Sequence, residues 1–233
     1  MQLVRALMVH LVGVVLLAAC ASSPRAVPGG ASAATPAAAP EIERGSFTIL
    51  RGSDTVAVEH FTRAPDSLGA ALEIPRTGRV RYDASLAPDG TVHRIVVDVT
   101  LADSTGPSQH SEADFEGDSV FIHRNTGTDT TERRAVDAGT LPYINPSPSL
   151  MEQIVRRSRV LGGDSVDVPL LSAGTQSRNV IATVTRPTPD SAVLSLGPVE
   201  VRLAVDSAGR VRGGSVPAQG ITIVRQEAGG ATP

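Results

Sequence analysis

The sequence predicts a mainly β fold: a curved antiparallel sheet, half-barrel or open barrel, of about ten to thirteen strands with one amphipathic helix. Three observations predict it. Apolar residues recur at every second position, turn signals rich in Gly, Asp and Pro separate these stretches, and one segment alone switches to helical spacing.

The clearest strand pair lies between residues 79 and 101. Val80, Tyr82, Ala84 and Leu86 alternate with Arg79, Arg81, Asp83 and Ser85, and Pro88-Asp89-Gly90 then turns the chain. Ile95, Val97, Val99 and Leu101 fall on one face of the next run, so the two form a hairpin. Val199, Val201, Leu203 and Val205 repeat the pattern before the turn Asp206-Ser207-Ala208-Gly209, and Val211 resumes it. Further turns are read at Gly52-Ser53-Asp54, at Gly117-Asp118 and from Pro187 to Asp190.

The helix opens at Pro148 with the capping-box pattern Ser149-x-x-Glu152 and closes at Gly162-Gly163. Leu150, Met151, Ile154, Val155 and Leu161 share one face with Ser158, and that stripe must be buried on the sheet. Glu152, Gln153, Arg156, Arg157 and Arg159 are expected to face away, with the arginines at the end the helix dipole favours for cations.

The first forty residues are of another kind. Arg5 precedes an apolar run from Ala6 to Leu17, interrupted only by His10, and small residues follow. This is the order of a signal peptide. About a dozen apolar residues cover roughly 18 Å as a helix, short of the roughly 30 Å hydrocarbon core of a bilayer. The run ends in Leu17-Ala18-Ala19-Cys20, which holds the only cysteine of the chain. From Ala21 to Pro40 the sequence is almost wholly Ala, Pro, Ser, Gly and Thr, too poor in large apolar residues to build a core. As a coil it reaches about 25 Å. The expected organisation is a signal peptide at 1–19, Cys20 and a disordered tether through 41, a single β-rich domain at 42–227, and a tail at 228–233.

Composition narrows the function classes. All 21 basic residues are arginine, so a Schiff-base lysine and a lysine-bearing phosphate loop are excluded. The formal net charge is −3, and basic runs never exceed a pair, which argues against nucleic-acid binding. With no cysteine beyond Cys20 the domain has no internal disulfide. Without tryptophan, and with two tyrosines and four phenylalanines, it lacks the rings on which sugars usually stack.

Leu17-Ala18-Ala19-Cys20 resembles the lipobox of bacterial lipoproteins. That resemblance implies cleavage before Cys20, a thioether-linked diacylglycerol on its sulfur and an acyl chain on its amine. Several chains anchor where one would not. Ala21, standing where those lipoproteins carry aspartate when retained at the inner membrane, implies the outer membrane, facing the periplasm. The antiparallel strands with one internal helix loosely resemble the half-barrel carriers of lipoprotein localisation. Their cavity is lined with aromatic residues, a feature this chain lacks, and none of their ligand-contacting motifs can be matched here residue by residue.

Candidate chemistry is sparse. Gly117-Asp118-Ser119-Val120 and Gly163-Asp164-Ser165-Val166 resemble the nucleophile block of GDSL-type hydrolases, but no Asp-x-x-His block accompanies them, and there is no Gly-x-Ser-x-Gly elbow. His110, Glu112, Asp114 and Glu116 alternate along one strand and project from one face, with Ser111, Ala113 and Phe115 opposite. With His123 from the next strand they are the candidate set for a divalent cation or for hydrolysis. Neighbours on one strand face lie about 7 Å apart, so the set reads chiefly as the solvated outer face of an edge strand. His60 and His93 are isolated. No catalytic set, resident metal or cofactor is expected, and no ligand-binding residue can be named. The functional expectation is a lipid-anchored, non-enzymatic scaffold or binding module that meets the membrane through acyl chains and engages an envelope protein. The alternatives are a carrier of an apolar ligand inside the curve, or an envelope hydrolase or metal-binding protein using the His110 and Glu112 stripe.

Overall fold

In the computed structural model, residues 41–172 and 178–227 are described. The stretches read in the sequence as a signal peptide and a tether, with Cys20, lie outside them through residue 40, as do residues 173–177 and 228–233. Fifteen strands form one sheet: β1 (Glu43–Arg51), β2 (Asp54–Ala64), β3 (Ser67–Ile74), β4 (Gly78–Leu86), β5 (Val92–Leu101), β6 (Gln109–Glu116), β7 (Ser119–Asn125), β8 (Asp129–Ala135), β9 (Leu141–Tyr143), β10 (Ser165–Ser172), β11 (Arg178–Thr185), β12 (Ser191–Leu196), β13 (Val199–Val205), β14 (Val211–Val216) and β15 (Ile221–Glu227). The single α-helix among the described residues, α1 (Pro148–Leu161), lies between β9 and β10. It is too short and too polar to cross a membrane.

The mainly β fold with one helix is as the sequence predicts, but the strands number fifteen rather than ten to thirteen. The surplus comes from strands without alternation. β8 reads Asp-Thr-Thr-Glu-Arg-Arg-Ala and buries none of its side chains, while β9 has three residues and contains Pro142. The predicted hairpin is β4–β5, with Tyr82 opposite Val97 and Ala84 opposite Ile95. Tyr82, Ala84, Ile95 and Val97 are core residues, whereas Leu101, at the end of the same stripe, is exposed.

Two up-and-down meanders make the sheet. Strands β1 to β8 run outward on one side and β10 to β15 return on the other, joined by antiparallel pairing of β1 with β15. Only β9 with β10 is parallel, because α1 carries the chain back between them. Laid flat, fifteen strands would span about 65 Å. Yet the edge strands β8 and β9 are joined by residues 136–140 alone, a connection that can reach about 20 Å. The sheet must therefore curl until its arms meet. Asn179 Nδ2 of β11 donates to the Ala135 carbonyl of β8 at 3.0 Å, and Ile95, Val97, Phe115 and Ile122 of one arm face Pro142 and Leu171 of the other.

The helix lies inside this curl, touching β2, β9, β10 and β14. Leu150, Met151, Ile154 and Val155 are at most 2% exposed. Removing each from water is worth about 1.5–3 kcal/mol. Leu161 departs from the predicted stripe: it sits beside Gly162 at the frayed end and is exposed. The N-cap is Ser147, not Ser149, and its Oγ accepts the Leu150 N–H at 3.2 Å. Pro148 then takes the first helical position, where a missing N–H costs nothing.

Candidate functional site

The largest departure from the sequence reading is the helix face expected to meet solvent. Glu152 and Gln153 are 1% and 2% exposed, and Arg156 and Arg157 are half-buried. A curled sheet surrounds the helix, so its polar side meets β1, β2 and β15 instead of water. The sequence carried a signal for this, in charged residues on the inward parity of strands. Ala57, Glu59, Phe61 and Arg63 alternate on one face of β2, and Ile221, Ile223 and Arg225 on one face of β15.

Two polar clusters result. Around the helix N-terminus, Glu59 is fully buried, with Ser147 Oγ at 2.6 Å and Tyr82 Oη at 2.9 Å from one carboxyl oxygen, while the other accepts the Ser149 N–H at 2.9 Å. Tyr82 Oη also lies 2.8 Å from Ser147 Oγ and 2.6 Å from Ser149 Oγ. Burial pushes the Glu59 carboxyl above the ordinary carboxylate range, against the pull of Ser147, Ser149 and Tyr82. The phenol of Tyr82 is driven well up by burial and by Glu59.

One turn further, Glu152 gathers guanidinium groups from three elements. Arg63 Nε is 3.3 Å from Glu152 Oε1, Arg156 donates to the same oxygen at 2.9 Å, and Arg225 donates to Oε2 at 3.0 Å, which also accepts the Val211 N–H at 2.8 Å. Arg63 goes on to Gln153 Oε1 at 2.5 Å and to the Ser149 carbonyl at 3.1 Å. Arg225 also binds Glu43 at the start of β1, and its guanidinium lies over the stacked rings of Phe47 and Phe61, 5.3 and 5.0 Å from their centroids. Such contacts add to the charge pairing.

The C-terminal half of α1 is fastened to three turns. Arg157 donates to the Asp89 carbonyl between β4 and β5 at 2.8 Å, and Arg159 to the Ser207 and Asp206 carbonyls between β13 and β14 at 2.6 and 2.9 Å. Arg159 also reaches the Pro189 carbonyl, between β11 and β12, at 3.4 Å. The predicted arginines thus bridge helix to turns.

The His110 stripe is placed on one face of β6, but β6 is not an edge strand: β5 and β7 flank it. The edge is β8, whose polar composition hid it from the sequence pattern. His110 Nδ1 lies 2.8 Å from Asp98 Oδ1, Glu112 pairs with Arg94 at 2.6 Å, and Asp114 lies 3.9 Å from the same guanidinium. His123 stands opposite Glu112 in register, yet its Nδ1 is directed at Thr131 Oγ1, 3.0 Å away. Glu116 is exposed at the strand end. Partial burial and the neighbouring Glu112 raise the Asp114 carboxyl. Among the described residues no group of three or more His, Cys, Asp or Glu is arranged to hold a metal ion. Ser119 bonds Asp118 and Arg133, Ser165 is exposed at the start of β10, and His60 and His93 are exposed on the sheet surface.

Between the two arms a pocket of about 30 Å³ remains, lined by Ile95, Val97, Ser111, Ala113, Phe115, Ile122, Pro142 and Leu171, with Glu112 and Arg124 also in its wall. That is room for a water or two, against roughly 300–1,000 Å³ for a ligand pocket. Four larger hollows, of about 330 to 550 Å³, are surface grooves. One of about 330 Å³ runs beside the helix end, where Arg63, Arg156 and Arg159 meet Leu86, Pro88 and Val160.

No protein-family model matches the chain, and no curated protein sequence matches it. Similar solved structures include two proteins of uncharacterised families. One is a β-barrel-like protein of the domain of unknown function DUF1849 from Brucella abortus, with 11% identity and a TM-score of 0.47, over 81% of this chain and 95% of that one. The other is a DUF1089-family protein from Pseudomonas aeruginosa, with 20% identity and a TM-score of 0.55, over 72% of this chain and 92% of that one. The likeness to the second is one of fold.

Proposed function

We propose that the chain is a lipid-anchored protein of the bacterial cell envelope whose β domain works through its surface, as a scaffold or binding module rather than as an enzyme. The observation that carries this reading is the helix inside the curl, tied on its polar side by Arg63, Arg156 and Arg225 around Glu152, which leaves about 30 Å³ of space between the sheet arms. The anchor rests on Leu17-Ala18-Ala19-Cys20 and the tether behind it, and the outer-membrane, periplasm-facing location on Ala21. Acyl chains on Cys20 would hold the protein to the membrane, and the tether would let the domain meet an envelope partner.

A second reading, a carrier of an apolar ligand, is favoured by one feature: the seam between the arms is apolar and lacks a hydrogen-bonded ladder. One experiment addresses both. The chain produced in a Gram-negative host with an alkyne fatty acid should be labelled, Cys20→Ala should abolish labelling and leave an uncleaved precursor, and native mass spectrometry of the processed chain should show no mass beyond protein and acyl chains. Labelling of Cys20→Ala would contradict the anchor. A non-covalent lipid on the processed chain would establish the carrier instead.

A further inference from the structure

The cluster at the head of α1 contains more oxygen contacts than its hydroxyl groups can fill. Four oxygen pairs lie within hydrogen-bond distance: Glu59 with Ser147, Glu59 with Tyr82, Tyr82 with Ser147, and Tyr82 with Ser149, at 2.6, 2.9, 2.8 and 2.6 Å. Tyr82, Ser147 and Ser149 supply one hydrogen each. If Glu59 is ionised, all three hydrogens are used when Tyr82 and Ser147 donate to it and Ser149 donates to Tyr82. Tyr82 Oη and Ser147 Oγ are then left in contact with no hydrogen between them. A proton on Glu59 supplies the fourth and lets Glu59, Ser147 and Tyr82 close as a ring of donors. The other carboxyl oxygen still accepts the Ser149 N–H.

The surroundings agree with this count. Glu59 faces Phe47 of β1 and Leu72 of β3 across the ladder, Tyr82 from β4, and Ser147 and Ser149 from the helix head. The neighbouring charged groups, Glu43 of β1, Arg63 of β2, Arg225 of β15 and Glu152 and Arg156 of α1, pair with one another. None of these guanidinium groups hydrogen-bonds Glu59. A fully buried carboxylate without a cation is costly, and such groups are normally neutralised.

We propose that Glu59 is held as a neutral carboxylic acid and that its proton latches the head of α1 to the sheet. This makes the domain a proton-dependent lock. In the unfolded chain Glu59 ionises in the ordinary carboxylate range, whereas in the fold it keeps its proton. Stability from the latch is therefore complete at acid pH and declines as pH rises above that range, until the folded group ionises too.

Two measurements on the purified full chain in detergent test it. Infrared difference spectra with and without ¹³C-labelled glutamate should show a carboxylic-acid carbonyl band at pH 7, and Glu59→Gln should remove it. Glutamine has the same shape, with an amide NH2 in place of the acid hydroxyl that can donate where the acid did. Between pH 5 and 8 the unfolding constant of the wild type should rise relative to Glu59→Gln, by up to about tenfold per pH unit. Absence of the band in the wild type at pH 7 would overturn the proposal, whether or not the glutamine variant folds. Parallel pH profiles for the two proteins would also overturn it.

Discussion

Glu152 shows how one residue can look solvated in a helical wheel and still be the hub of an interior. Its side chain is 1% exposed, and the guanidinium groups of Arg63 and Arg225 that meet it are 6% and 4% exposed. Removing the carboxylate would leave the buried Arg63 without a carboxylate partner and Arg225 with Glu43 alone. Glu152→Ala is expected to cost about 3–5 kcal/mol in urea unfolding; a loss below about 1 kcal/mol, typical of a surface pair, would show that the cluster is wetter than described. Asp206 works in the opposite pH direction to Glu59. Partial burial pushes its carboxyl up, but N–H groups of Arg210 and Ala208 and the Arg210 guanidinium outweigh that and hold it at about 2, below the ordinary 3.8. A depressed carboxyl contributes stability that is present above its ordinary value and lost as pH falls through the folded one. The stability difference between wild type and Asp206→Asn should therefore be constant above pH 3.8 and shrink toward pH 2. A difference that stays unchanged down to pH 2 would contradict the assignment.

At the scale of the element, the helix was the easiest part to find and the hardest to orient. Pro148, the apolar stripe and Gly162 mark its limits in sequence. Its cap is one turn-setting serine earlier than the capping-box pattern indicates, because Glu152 is drawn toward three arginines instead of reaching back to the helix head. No helical pattern could reveal that both sides of the helix are covered, since that depends on how far a fifteen-stranded sheet curls. The buried Ile154 supplies the test of the packing. Ile154→Asp places an unpaired charge where the side chain is 0% exposed, and should cost several kcal/mol and unfold the domain, read as lost near-ultraviolet circular dichroism. A folded variant that binds an apolar dye would instead mean that the helix lifts.

For the whole molecule, period-two alternation made the fold class legible, because each apolar strand announces which side it buries. Alternation is silent about β8, which buries nothing, and about the pairing of β1 with β15, whose partners stand some 180 residues apart. The placement of the His110 stripe on an edge strand failed for a related reason: residues sharing one strand face are visible in sequence, but Asp98, Arg94 and Thr131, which engage them, come from neighbouring strands. The functional reading turns on whether α1 and the sheet are one cooperative body, and native-state hydrogen exchange measures this directly. If the helix is a fixed part of the core, the amides of Ile154, Val155 and Ser158 should exchange only by global unfolding, with the same opening free energy as the amides of Ile49 and Ile223 in β1 and β15. A helix that exchanges through a separate opening, several kcal/mol easier than that of the sheet, would be a lid, and the account of a filled, surface-acting domain would be wrong.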